Sequence, residues 1–139
     1  MQTRLFDPFS FLLLTTSFFG CASKEKVEPL KDITSRWDTV SRQLIFYDAN
    51  RKLLGEGTPV EYKLDQEYLI FKADKTFSTY RMNAFAFSAP YTYTNTSFSR
   101  PDNNSEAKIT VFTDTQLVLV NESFADPVTA VETWTLKKH

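Results

Sequence analysis

The sequence predicts an all-β fold, an antiparallel up-and-down barrel of about eight strands, and three observations carry that prediction. From Arg36 onward, short runs rich in β-branched and aromatic residues alternate with polar turns. No long stretch keeps a helical apolar period. The connections are short enough for antiparallel neighbours, and closing such a meander into a barrel leaves no exposed edge. A two-sheet sandwich is the structural rival.

The β region is preceded by a segment of different character. Arg4 stands before an apolar run, Phe9 to Phe19, then Gly20 and the only cysteine, Cys21, followed at once by charged residues. That run is too short to span a bilayer and has the layout of a secretory leader, removed after residue 20. Cys21 would then be the new N-terminus. A lone cysteine in an exported protein has no disulfide partner, so Cys21 is the candidate site for a diacylglycerol anchor. The expected location is the cell envelope, with the chain lipid-anchored to the outer membrane, since no Asp follows the cysteine directly. Residues 21–33 read as the lipidated cysteine and a flexible tether, because they are charged, contain Pro29 and lack apolar periodicity. Residues 34–139 are the expected barrel.

Taken in order, Trp37 to Arg42 and Leu44 to Tyr47 suit one bent strand or two, ending at Asp48-Ala49-Asn50. Gly55 and Gly57 suit a bend. Tyr68 to Lys72 and Thr76 to Arg81, around Ala73-Asp74-Lys75, form the clearest hairpin. Ala84 to Phe87 and Tyr91 to Thr94 follow, split by Ser88-Ala89-Pro90. Strand alternation puts Phe85 and Phe87 on one side, and likewise Tyr91 and Tyr93. Ser99 to Ser105 is the strongest turn cluster. Lys108 to Thr113 and Gln116 to Val120 make a second hairpin across Asp114-Thr115. The strand from Val128 to Lys137 places Trp134 and Leu136 on one face.

Composition bounds the function. After the cysteine come 118 residues with a net charge of minus one, and a balanced surface gives no electrostatic case for nucleic acid. That part carries eight Phe, six Tyr and two Trp, enough apolar area for a core without disulfides. The only histidine is His139, so Ser-His-Asp and Cys-His catalysis and histidine metal sites have no ordinary basis. Asp65, Glu67, Asp74, Asp114, Glu122 and Glu132 are the carboxylates from which a hydrolytic pair would have to come. Asp102 to Glu106 lacks the glycine and distal glutamate of a calcium loop and reads as a turn. Asp38-Thr39-Val40 matches a short O-glycosylation sequon, against which an ordinary β-strand threonine is the plain reading. The expectation is a protein without catalytic activity and without a cofactor.

In its order of motifs the chain resembles the small lipocalin-like lipoprotein domains common in Bacteroidetes. The resemblance rests on Ser35-Arg36-Trp37, the hairpin from Tyr68 to Phe77, the run from Ile109 to Leu119 and the closing Val131 to Leu136. It implies a lipocalin-type barrel in which a basic residue, Lys137 or Lys138, packs across Trp37. It also departs from the pattern at Ser35, where such domains have glycine, and at Asp74-Lys75, where relatives have Asp-Gly.

An eight-stranded barrel is filled by its own side chains or holds one small ligand. Large inward aromatics favour a filled or nearly filled interior. For the ligand-holding case the candidate contacts are Trp37, Phe85, Phe87, Tyr91 and Tyr93, an aromatic set with a few hydroxyls suited to an apolar or amphipathic molecule. The alternative is an envelope interaction module with a filled barrel, presenting loops such as Ser99 to Ser105 to a protein or glycan.

Overall fold

The computed structural model describes residues 28–139, and among them there are eleven strands and no helix. They are β1 (Ser35–Tyr47), β2 (Leu53–Glu56), β3 (Val60–Glu61), β4 (Glu67–Phe71), β5 (Thr76–Arg81), β6 (Ala84–Pro90), β7 (Thr92–Tyr93), β8 (Ser97–Arg100), β9 (Ser105–Phe112), β10 (Gln116–Ala125) and β11 (Val128–Lys138). All belong to one antiparallel sheet; nine follow the order β6-β5-β4-β1-β11-β10-β9-β8-β7, and β2 and β3 pair with β1 beside it. The two ends of that order are continuous in sequence: the chain runs from β6 through Tyr91 into β7. The first half of this interrupted strand pairs with β5 and the second with β8, so the sheet curls into a nearly closed barrel. Counting β6 and β7 as one stave gives eight on the meander, as the sequence predicts.

The bend expected near the front of the chain is a bulge in a single strand. β1 pairs with β11 from Trp37↔Lys138 to Tyr47↔Thr129, with the register shifting between Thr39 and Ser41. The extra residue, Val40, bends the strand, as bulges do. Its other edge serves three partners in succession: β4 at Ser35 to Asp38, β3 at Ser41 and Arg42, and β2 at Ile45 to Tyr47. Gly57 permits the β2 approach: a Cβ there would come within 3.1 Å of the Leu44 carbonyl oxygen, which accepts the Gly57 N–H at 2.7 Å.

Turn chemistry fixes the hairpins. In the β4–β5 turn Lys75 takes φ 64°, the left-handed conformation that glycine would enter at least cost. The turn is held because Asp74 Oδ1 accepts from the Thr76 N–H at 2.9 Å and its hydroxyl at 2.6 Å. The β5–β6 connection is the pair Met82-Asn83 at φ 49° and 62°, the geometry of a two-residue turn that matches strand twist. At the β9–β10 turn the Thr113 hydroxyl oxygen accepts from the Gln116 N–H at 2.9 Å, and neither Asp114 nor Thr115 needs positive φ.

One end of the barrel is filled. Ile33, Trp37, Phe71, Phe77, Tyr91, Phe98, Phe112, Leu117 and Leu136 are buried there in a single cluster. Their rings meet edge to face or stacked: Phe71 to Tyr91 at 5.2 Å, Phe71 to Phe98 at 5.7 Å, Tyr91 to Phe98 at 5.8 Å and Trp37 to Phe112 at 6.4 Å. These are the offset and T-shaped arrangements that aromatic quadrupoles favour. Of the two lysines expected near Trp37, Lys138 is the one over its ring, at 5.8 Å.

The last residues of the stretch read as tether are packed against the barrel. Pro29 to Ile33 lies packed across the filled end: Asn95 accepts from the Lys31 N–H and donates to the Pro29 carbonyl, both at 2.9 Å. Tyr93 donates its hydroxyl to the Lys31 carbonyl, and the Trp37 indole N–H to the Ile33 carbonyl, each at 2.9 Å. Ile33 is completely buried. An isolated Ile33 beside Lys31 and Asp32 leaves no sustained period, yet here it stoppers the barrel. Cys21 and the leader lie outside the described residues.

Candidate functional site

The opposite end is open. A cavity of about 290 Å³ occupies the mouth, and every one of the eight staves contributes a wall residue to it. Its inner wall is aromatic and aliphatic: Leu69, Phe77, Phe87, Phe98, Leu119 and Trp134. Nearer the rim stand three guanidinium groups, Arg42 from β1, Arg81 from β5 and Arg100 from β8. Strand alternation puts them there. Phe77, Thr79 and Arg81 share the inner face of β5, Phe98 and Arg100 that of β8, and Glu132, Trp134 and Leu136 that of β11.

Two carboxylates balance part of this charge. Glu67, on the inner face of β4, is almost fully buried. It accepts from Arg81 Nε at 3.1 Å and from the Thr39 hydroxyl at 3.5 Å, and lies 3.6 Å from Arg42 Nη1. Glu132 accepts from both Nε and Nη2 of Arg42. The Arg42 guanidinium also lies over the Trp134 ring, 4.0 Å from its centroid. Burial alone would lower its pKa. The hydrogen bond to Glu132, with the Glu132 and Glu67 charges, more than offsets that and holds it above the usual range. Arg42 is therefore a permanently charged, fully engaged strut. Of the six carboxylates from which a hydrolytic pair was sought, Glu67 and Glu132 do come near each other. They converge on a guanidinium between them.

The five sequence-predicted contact residues separate. Phe87 lines the cavity. Trp37 and Tyr91 are buried in the filled end, with Tyr93 packed against them. The two tyrosine hydroxyls are used internally, Tyr91 donating to the Lys72 carbonyl at 3.0 Å and Tyr93 to the Lys31 carbonyl at 2.9 Å. Phe85 is on the outside, 61 % exposed. The expectation that Phe85 and Phe87 share a face fails because the β5–β6 register shifts: Thr79 pairs with Phe87 but Tyr80 with Phe85. The bulge at Ala86 turns Phe85 outward, where it meets Tyr80 edge to face at 5.9 Å. Tyr80 in turn stacks on Tyr68 at 4.9 Å, and Arg36 caps Tyr68 at 3.8 Å.

Two weaker readings from the sequence also find their places. Thr39 is buried against Glu67, where no glycan can be attached in the folded protein. In the turn after β8, Arg100 donates to both oxygens of Asp102, at 3.3 and 2.8 Å, which holds that carboxyl below its ordinary pKa.

The fold and the site define a class: a small antiparallel barrel, plugged at one end and open at the other into a mixed aromatic and charged cavity. No family model matches the chain, and no curated protein and no solved structure is found to be similar to it.

Proposed function

We propose that this chain is a lipid-anchored, lipocalin-like protein of the outer membrane that holds one small amphipathic molecule in the mouth of its barrel and does no chemistry on it. The observation that carries this reading is the open cavity walled by all eight staves. Its size, about 290 Å³, falls just below the roughly 300–1,000 Å³ usual for ligand pockets. Apolar walls with a few convergent polar groups are how such sites combine affinity with orientation. Of the other aromatic candidates, Trp37, Tyr91 and Tyr93 serve instead to seal the filled end, and Phe85 faces outward. Diacylation through Cys21 would give stable anchoring, where a single chain binds a membrane only marginally.

Native mass spectrometry of the protein extracted from membranes, before and after mild denaturation, tests the binding reading. A small-molecule mass carried by the folded protein and lost on unfolding is the expected result. A bare polypeptide mass, unchanged by a panel of amphiphiles, would overturn it. The anchor is tested separately by Cys21→Ser, which should move the protein from the membrane pellet to the soluble fraction.

The outer-face row of Arg36, Tyr68 and Tyr80, which ends in the exposed Phe85, favours a second reading, in which this face docks an envelope protein or a glycan. Loss of co-purifying envelope components in a Phe85→Ser variant that keeps its fold would support it.

A further inference from the structure

On the inner faces at the mouth arginines outnumber carboxylates, the third arginine, Arg100, being paired with Asp102 of the neighbouring turn. Three guanidiniums, Arg42, Arg81 and Arg100, face two inward carboxylates, Glu67 and Glu132. Glu106 also borders the cavity, but it is exposed while its strand neighbours Ser105 and Ala107 are partly buried, which is the outward phase of β9.

The three arginines are not equally occupied. Arg42 uses Nε and Nη2 on Glu132, directs Nη1 toward Glu67 and covers Trp134. Arg81 spends only Nε, on Glu67, and neither of its Nη atoms has a protein partner among the described residues. Arg100 spends Nε and Nη2 on Asp102, a turn residue open to water, and leaves Nη1 without a partner. Its guanidinium lies 5.1 Å from the Phe87 ring centroid and 5.8 Å from that of Phe77. Donors that remain unspent therefore border the aromatic wall from two sides, β5 and β8.

We propose that the cavity takes a compact organic carboxylate, its charged group held between Arg81 and Arg100 and its apolar body against Phe77, Phe87 and Phe98. This rests on the reading of the cavity as a ligand site and narrows it to one chemical class. The planar fork of a guanidinium matches a carboxylate, and such charge-assisted bonds are roughly twice as strong as neutral ones. Size restricts the rest of the molecule: about 290 Å³ is room for about ten water-sized groups, which suits a one-ring or short aliphatic acid. A cation of the same shape would meet two guanidiniums where the acid meets donors.

Three probes with one apolar body and different charge test this: 3-phenylpropanoate, 3-phenylpropan-1-ol and 3-phenylpropylamine. Binding is read by calorimetry and by the fluorescence of Trp134, which is part of the wall, with Trp37 sealed in the filled end. The acid should bind at least tenfold more tightly than the alcohol, and the amine most weakly. Arg81→Gln and Arg100→Gln should each remove about tenfold from the acid while leaving the alcohol unchanged. Arg81→Gln retains an amide donor for Glu67, and Arg100 is bonded only to an exposed turn carboxylate, so thermal melts should report both variants as folded. Alcohol binding as tight as the acid, or acid binding indifferent to both arginines, overturns the carboxylate inference and leaves the carrier reading standing. Binding of none of the three overturns it as well, and the retained mass in native spectrometry then decides the carrier reading on its own.

Discussion

Ile33→Ala separates a packed N-terminal segment from a free tether by a wide margin. A tether residue faces water, and its truncation should change stability by no more than about 0.5 kcal/mol. Ile33 instead has no exposed surface and joins the cluster around Trp37. Removing an Ile side chain down to Ala in such a site costs about 2–5 kcal/mol, from lost burial and from the cavity left behind. The backbone bonds of the segment survive, because the Ile33 carbonyl still accepts from Trp37 and Asn95 still bridges Pro29 and Lys31. A domain of this size has only about 5–15 kcal/mol in total, so the loss is a large share. At about 4–8 °C per kcal/mol for small domains the melting temperature should fall by about 8 °C or more. Leu30→Ala is the control. Leu30 lies in the same segment but is 56 % exposed, and its truncation should barely register. Urea unfolding followed by circular dichroism measures both. Equal midpoints for the two variants would refute the packing argument.

Other consequences follow from the charged mouth and the turns. Glu67→Ala should destabilise by about 2–3 kcal/mol, since it removes a charge-assisted bond to Arg81 and an ion pair with Arg42 from a buried site, and Glu67→Gln by less; chemical denaturation of both variants measures the difference. Met82→Asn should stabilise by about 0.5–1 kcal/mol, because Met82 is exposed at φ 49°, a conformation Asn tolerates better; a lower urea midpoint would count against it. The Asp32 carboxyl, which accepts from the Thr34 N–H at 2.8 Å and is lowered by that bond and the Thr34 side chain, should stabilise the fold at neutral pH. Because its folded pKa lies below the unfolded value of about 3.9, that contribution is complete above the unfolded value and disappears as pH falls through the folded one. The gap between wild type and Asp32→Asn in urea midpoint should therefore close on acidification from pH 6 to pH 2.5, and a gap independent of pH would refute the assignment.

Strand alternation made the barrel legible. The hairpin from Tyr68 to Arg81 and the run from Val128 onward lie where their β-favouring residues and turns place them, the hairpin with both faces largely covered. The same alternation carried an unused signal for the site. Glu67 shares a phase with Leu69 and Phe71, Arg81 with Phe77, and Arg100 with Phe98, so charged residues stand on the apolar face at the ends of three strands. Attention to aromatic density pointed instead to the stretch from Phe85 to Tyr93, most of which seals the filled end or faces outward. The bulge at Ala86 had no signature in the sequence, since no glycine or polar residue marks it. Ile33 was equally silent: burial of one residue by a segment held through Asn95, more than sixty positions away, is a tertiary fact with no local pattern.

The pairing of β1 with β11 sets the order in which this fold can be completed. Trp37 meets Lys138 and Tyr47 meets Thr129, contacts that span most of the described chain. While the hairpins β4–β5, β9–β10 and β10–β11 need only short loops to close, β1 keeps a free edge until the last strand arrives. Sequence-distant pairing must meet its loop entropy before contacts repay it, so barrels of this kind fold in milliseconds to seconds, not microseconds. Until that moment the sheet is an open ribbon with a bare edge on β1 and another on β11, each able to recruit a foreign strand. The interval before closure, rather than the finished barrel, is where this protein is most exposed to aggregation.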